Sequence, residues 1–332
     1  MKMKIYLLIT SFILIPFLFS CGSNDQKTEI ITPMDSLNTV IKGDPNNPAL
    51  YALRGDWRAM EGDNDPALAD FNRAIELDSL NDEWYLKKAR LLIDMKEIGR
   101  AKSMLDKAIY IVPSSVGMML LISEIYFWAG DYQKCINWSN AALGFDKYLA
   151  QAYYLKGLAH KGSGDTSMAV SNFRTAVEQD PDHFNSFIQL GQLFEIAQHP
   201  LASDYYANAV RVQPENVEAI YAYGLSLQTK GEIEKAKNQY FTILGLEPNN
   251  FKAIYNLGYV NLILEENVDS GFYYFEKVVQ IKPNYDNALY NLGYCYELKG
   301  DKEKALNHYR KVLSFSASHT LAAQGVNRLT NG

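Results

Sequence analysis

The sequence predicts an all-α solenoid of about eight stacked helix–turn–helix repeats. Three observations predict it. The stretch from Asp286 to Ser314, DNALYNLGYCYELKGDKEKALNHYRKVLS, recurs in near copies through most of the chain. Residues 217–248 carry a Gly, a tyrosine-rich face, a Lys-Gly turn and an Ala at matching offsets. The copies are spaced by roughly 34 residues, the period of a two-helix unit that completes its core against its neighbours. No strand-like alternation of apolar and polar residues survives in the repeating region.

The first element is not part of the fold. Residues 1–20 read MKMKIYLLITSFILIPFLFS, with Lys2 and Lys4 ahead of an apolar run from Ile5 to Phe19. That run is about 15 residues, shorter than the roughly 20 a spanning helix needs, and reads as a targeting segment. It ends in Leu18-Phe19-Ser20-Cys21. This resembles the lipobox of bacterial lipoproteins, with Phe19 departing from the smaller residue usual there. The resemblance implies cleavage before Cys21 and attachment of lipid to its thiol, and acyl chains in combination anchor a protein firmly. Cleavage after residue 20 removes two lysines and takes the net charge from −6 to −8. Gly22, in place of Asp, implies the outer membrane by the same resemblance, and Ser23-Asn24-Asp25 resembles a short acidic export tag. Residues 21–32 form the lipidated Cys and a polar tether.

The array follows. Residues 33–47 have helical spacing at Leu37, Val40 and Ile41 and are expected to form an N-terminal capping helix. Repeats are set at 48–81, 82–115, 116–149, 150–183, 184–216, 217–250, 251–285 and 286–319, and residues 320–332 supply a C-terminal capping helix. The Gly-Asp pairs at 62–63, 130–131, 164–165 and 300–301 close first helices with a residue tolerant of positive φ, and the Asp caps the helix that follows. Prolines at 113, 181, 214, 248 and 283 end second helices. The fifth repeat is one residue short, with Gln198-His199-Pro200 at its turn. The seventh is one long, with Glu265-Glu266-Asn267-Val268. Both departures read as turn variation, with a local change of superhelix pitch as the alternative.

These units resemble the tetratricopeptide repeat family over about four-fifths of the chain. The last carries Leu289, Leu292, Gly293, Tyr296, Ala305 and Tyr309 in the family's pattern. The fourth carries Tyr153, Gly157, Ala169, Phe173, Ala176 and Pro181, and the sixth Ile220, Gly224, Ala236, Tyr240 and Pro248. The second has Ala89 in place of the Gly. Small residues such as Gly157, Ala169 and Ala176 let two helices cross closely while large ones fill the remaining space. The resemblance implies a right-handed superhelix whose concave groove is lined by first helices.

Composition narrows the function. A net charge of −6 gives no general attraction for phosphate backbones, so nucleic acid is not an expected partner. Three cysteines make no disulfide framework, and Cys135 and Cys295 read as small buried hydrophobes. No HExxH, CxxC, GxSxG or phosphate loop occurs, and no two of the five histidines sit four apart on a helix. No catalytic residue, metal, cofactor or small-molecule substrate is therefore expected.

What stands out is the aromatic content, 13% with 23 Tyr. The resemblance places Tyr154, Tyr221, Tyr255 and Tyr290, the fifth residues of their repeats, in the groove, with Tyr259, Tyr294, Asn256 and Asn291 beside them. Rigid Tyr rings and Asn amides suit an extended peptide or a partner helix. The family's carboxylate clamp, which needs Lys and Asn in three successive repeats, is excluded, because the fifth residue is Tyr or apolar in nearly every repeat and the ninth is never Asn. Met118, Met119, Phe127 and Trp128 form a second patch, expected to be partly core. The function expected is an envelope lipoprotein acting as a protein–protein adaptor through its groove. The alternatives are a structural subunit of a secretion, motility or envelope-assembly complex and, remotely, an enzyme.

Overall fold

The computed structural model describes residues 33–331. The targeting segment, Cys21 and the tether lie outside the described residues. Among the described residues there are eighteen α-helices and no strand. They fall into two compact units, one ending at Leu77 and the other running from Asp78.

In the first unit, α1 (Pro33–Gly43), α2 (Pro48–Met60) and α3 (Asn64–Leu77) pack around Ala52, Ala67, Leu68, Phe71 and Ala74. Asn47 caps α2 by accepting from the Ala49 N–H, and Pro48 occupies the first turn, where a missing N–H is harmless. The core also holds a carboxylate that periodicity gives no hint of. Asp70 is 3% exposed. Arg54 reaches it with two N–H groups at 2.9 and 2.6 Å and Arg58 with one at 2.7 Å. Arg54 also donates to Asn38 of α1 at 2.8 Å, so one ionic cluster ties all three helices together.

The second unit is seven helix pairs and a final helix. The first helices are α4 (Asp82–Asp94), α6 (Val116–Trp128), α8 (Ala150–Gly162), α10 (Phe184–Ile196), α12 (Val217–Thr229), α14 (Phe251–Tyr259) and α16 (Asp286–Leu298). Their partners are α5 (Ile98–Ile111), α7 (Tyr132–Phe145), α9 (Thr166–Gln179), α11 (Ala202–Val212), α13 (Ile233–Leu246), α15 (Val268–Ile281) and α17 (Lys302–Phe315), followed by α18 (Thr320–Asn331). Caps explain the boundaries. Asp131, Asp165 and Asp301 each accept from a backbone N–H in the first turn of a second helix. Gly164, at φ +86°, makes the left-handed turn before Asp165. Lys96 takes the same conformation at φ +66° without glycine's freedom.

Within a pair, a small residue on the first helix faces a large one on the second. A Cβ on Gly157 would lie 2.5 Å from the Phe173 ring, and Gly191, Gly224, Gly258 and Gly293 meet Tyr206, Tyr240, Phe275 and Tyr309 in the same way. The third repeat solves the contact differently: Ser123 and Ser139 hydrogen-bond at 2.8 Å, and Ser123 also donates to the Cys135 carbonyl at 2.8 Å. Where the large residue is Tyr, its buried hydroxyl needs an acceptor. Tyr206 donates to Glu195 at 2.8 Å, Tyr240 to Gln228 at 2.9 Å and Tyr309 to Glu297 at 2.6 Å. Where it is Phe173 or Phe275, the matching place on the first helix is held by Lys161 or Leu262.

The two irregular repeats differ from each other. In the fifth, the missing residue comes out of the second helix, since α11 has 11 residues where its counterparts have 14. In the seventh, the extra residue does not lengthen the turn. It is absorbed inside the first helix as a π-helical segment, Val260–Leu264, with the Glu265 N–H bonded to the Val260 carbonyl at 3.1 Å. The Asn261 amide donates to the Leu257 carbonyl at 2.7 Å within that segment. At the other end α18 docks on Tyr309: a Cβ on Gly325 would lie 2.5 Å from its ring. Arg328 donates to both Glu297 oxygens, at 2.6 and 2.8 Å.

Cys135 and Cys295 are both fully buried free thiols. Burial pushes both thiols up, Cys295 to about 12. Met118 and Met119 are core, while Trp128 is 46% exposed.

Candidate functional site

The tyrosines singled out above lie at one place in their helices: Tyr154 is the fifth residue of α8, Tyr221 of α12, Tyr255 of α14 and Tyr290 of α16. All four are half-buried. Each ring rests against the aromatic residue of its own second helix: Phe173 at 5.8 Å, Tyr240 at 6.3 Å, Phe275 at 5.5 Å and Tyr309 at 5.6 Å between centroids. Three are also touched by the residue that precedes the next first helix or, for Tyr290, the final helix α18. His183 lies 5.1 Å from Tyr154, Tyr285 5.4 Å from Tyr255 and His319 5.3 Å from Tyr290.

Asn256 and Asn291 are buried, at 6% and 5% exposure. Their amides are not offered outward. Asn256 donates to the Tyr221 hydroxyl at 2.9 Å and Asn291 to the Tyr255 hydroxyl at 3.1 Å. Each Asn therefore clasps the tyrosine of the preceding repeat, so the pairs join repeats six, seven and eight. Burial pushes the hydroxyls of Tyr154, Tyr221 and Tyr290 up, and that of Tyr255 to about 12, so all stay protonated at neutral pH. Tyr259 and Tyr294, one turn further along, are half-buried. Tyr294 lies parallel to Tyr290, with an interplanar angle of 1° and centroids 6.4 Å apart. The resulting surface is aromatic, and the Tyr221 and Tyr255 hydroxyls on it are already engaged by the two Asn amides.

Sequence reasoning did not foresee two neighbouring features. A cleft of about 530 Å³ opens where α12 and α14 begin, lined by Val217, Tyr221, Pro248, Phe251 and Lys252. Lys252 Nζ stands 5.8 Å over the Tyr221 ring, and Lys282 Nζ stands 4.5 Å over Phe251 and 5.2 Å over Tyr285. An aromatic first residue of a helix followed by Lys, as at Phe251-Lys252, is the sequence signal that points there. On α6, Glu124 is a half-buried carboxylate: burial pushes its pKa up and Arg90 pulls it down. Among the described residues no group of His, Cys, Asp and Glu side chains could hold a metal ion, and no helix is long and apolar enough to cross a membrane.

Comparison with known proteins agrees with the repeat fold. Residues 150–183 and 287–318 each match a family model of the tetratricopeptide repeat. The C-terminal part of a tetratricopeptide repeat-containing protein from Cytophaga hutchinsonii superposes with a TM-score of 0.62 at 19% identity, over 73% of this chain and 99% of that one. The protein CTR9 homolog of Arabidopsis thaliana is 24% identical over 305 residues, 78% of this chain and 28% of the relative. The human DnaJ homolog subfamily C member 7 is 24% identical over 262 residues, 74% of this chain and 49% of the relative. The chain spans half or less of the length of these two relatives, and identities this low speak to the fold alone. The chain carries tetratricopeptide repeats arranged as an all-α solenoid, an architecture that generally serves protein–protein interaction and scaffolding.

Proposed function

We propose that this chain is a non-catalytic scaffold that holds a partner protein of the bacterial envelope against the first-helix face of repeats six to eight. The observation that carries this reading is the rigid run of tyrosines on α12, α14 and α16, locked from repeat to repeat by the Asn256–Tyr221 and Asn291–Tyr255 bonds. A preformed aromatic surface loses little side-chain entropy on binding, so more of each contact's free energy appears as affinity. An extended segment or a helix laid along that face would touch Tyr259 and Tyr294 and reach the cleft beside Tyr221. The envelope address rests on Lys2, Lys4, the apolar run to Phe19 and Leu18-Phe19-Ser20-Cys21. In this reading Cys21 carries the lipid and Gly22 directs the protein to the outer membrane.

A photo-crosslinking residue at Tyr294, compared with one at the exposed Lys311 of α17, tests the scaffold reading in intact cells. A discrete partner captured from position 294 alone supports it. Capture from position 311 alone, or of the same neighbours from both, sinks it and favours a subunit built into a larger complex. Metabolic labelling with a fatty acid, lost in Cys21→Ser, tests the anchor separately.

A further inference from the structure

The first two repeats begin at residues 48 and 82, and their helices correspond place for place. Pro48–Met60 (α2) answers to Asp82–Asp94 (α4), and Asn64–Leu77 (α3) to Ile98–Ile111 (α5). The ionic cluster of the first repeat therefore has counterparts in the second. Arg54 answers to Lys88, Arg58 to Leu92 and Asp70 to Met104. A cation stands at the first of these places in both repeats. The carboxylate that holds it in the first repeat is a thioether in the second. The second repeat has a cleft of about 290 Å³ here, lined by Lys88, Leu92, Arg100, Ser103, Met104 and Lys107. The lining includes the counterparts of all three cluster residues and no carboxylate.

Three of the lining side chains are cationic. Lys88 is half-buried, and burial first and the Arg100 charge second push its ammonium down. A cation kept partly out of water beside a like charge is destabilised unless an anion joins it. Two carboxylates of the same segment lie outside the lining. Glu97 pairs with Arg100 and offsets one of the three charges, and Asp106 pairs with Lys102 at 2.7 Å. Lys107 is exposed and makes no ion pair among the described residues. The cleft is thus locally positive on a chain whose net charge is −6. Such a local reversal of sign draws oppositely charged segments and selects against others.

We propose that this cleft is a second interaction site, and that its occupant is a glutamate side chain of an acidic segment of a partner protein. The glutamate supplies the carboxylate that Asp70 supplies in the first repeat and that Met104 does not. Its charged end suits Lys88, Arg100 and Lys107, with the Ser103 hydroxyl as a further donor. Its methylenes suit Leu92 and Met104, which a bare inorganic anion would leave uncovered. The site does not depend on the first-helix face of repeats six to eight.

Calorimetric titration of the full chain with a capped decaglutamate peptide at low ionic strength tests the proposal. Capped decaglutamine and inorganic phosphate are titrated in parallel. Saturable decaglutamate binding, weakened by salt and not shared by decaglutamine, is expected. Lys88→Met should weaken it roughly tenfold or more, because it removes a half-buried charge partner. Lys107→Ala, at an exposed position, should weaken it roughly threefold. Met104→Asp gives the second repeat the carboxylate of the first and should abolish binding. Lys311→Ala, on α17, leaves it unchanged. Lys107→Glu reverses an exposed charge without touching the core, so it decides the matter even if Lys88→Met or Met104→Asp does not fold. The proposal is overturned by absence of saturable decaglutamate binding, by equal binding of decaglutamine, or by an unchanged affinity in Lys107→Glu. It is also overturned by an equal loss in Lys311→Ala, or by phosphate binding that Lys107→Glu abolishes in place of the peptide's.

Discussion

Replacing Gly157 by Ala puts the close crossing of α8 and α9 to a quantitative test. An added Cβ would lie 2.5, 2.6 and 3.0 Å from Cε1, Cδ1 and Cζ of Phe173. Carbon atoms in contact prefer about 3.5–4.0 Å, so the helices must part or the ring must turn. Phe173 is 0% exposed and also packs on Tyr154, which leaves it no space to turn into. Overpacking of this kind typically costs about 1–3 kcal/mol, and an approach this short belongs at the upper end. Ala returns roughly 1 kcal/mol over Gly in a helix interior. The net expectation is a loss of about 1–2 kcal/mol. The chain supplies its own control, since Ala89 and Leu105, both buried, occupy the equivalent places in α4 and α5. Phe173→Leu alone should cost about 1 kcal/mol through lost volume. In the double variant the smaller side chain makes room for the added methyl group. The double loss should therefore fall short of the sum by about 1–2 kcal/mol. Arrays unfold unit by unit, so the readout is hydrogen exchange of α8 and α9 amides beside urea unfolding followed by circular dichroism. Gly157→Ala at or above wild-type stability, or strict additivity in the double variant, would refute the reasoning.

Other substitutions probe other contacts. Asp70→Ala strands two guanidinium groups that now share a buried carboxylate, and should destabilise the first unit by about 3 kcal/mol. Trp57 fluorescence in α2 during urea unfolding reads this, and an unchanged midpoint would mean the cluster is only a surface pair. Lys96→Gly relieves a left-handed residue at φ +66° and should raise stability by about 1 kcal/mol; a lower midpoint in the urea curve would contradict it. The Arg328 guanidinium, before any other cause, holds the Glu297 carboxyl below its ordinary range. A carboxyl lowered in the folded state stabilises above its unfolded pKa, so docking of α18 should hold at neutral pH. It should weaken as the pH falls below about 4. Amide exchange in α18 should show that dependence and Arg328→Ala should flatten it; identical profiles for the two proteins would disprove the link.

The first-helix face shows where sequence reasoning reaches and where it stops. The spacing of Tyr221, Tyr255 and Tyr290 puts one tyrosine at the same place on three successive first helices, and this is legible because the period maps residues directly onto helix faces. What Asn256 and Asn291 do is not legible. An Asn beside a Tyr could turn its amide to a ligand or to a neighbour, and only the packing of repeat on repeat decides that each reaches 35 or 36 residues back to a phenol. The pairing of Tyr206, Tyr240 and Tyr309 with Glu195, Gln228 and Glu297 lies between these cases. It is visible in sequence once one knows that the buried phenol needs an acceptor from the first helix.

By itself the sequence determines the all-α repeat architecture, because a unit of roughly 34 residues with small residues at helix crossings and caps at its turns has one way to bury its apolar face. It also determines where prolines and glycines end helices, since those limits are set by local backbone sterics. Tertiary structure alone decides how an irregular repeat is accommodated. One residue fewer shortens α11, and one more becomes a π turn at Val260–Leu264, because the choice depends on which distortion keeps the neighbouring core filled. It alone brings Asp70 to Arg54 and Arg58. Those contacts join residues whose sequence separation carries no periodic signal, and their free energies exist only when the helices are already side by side.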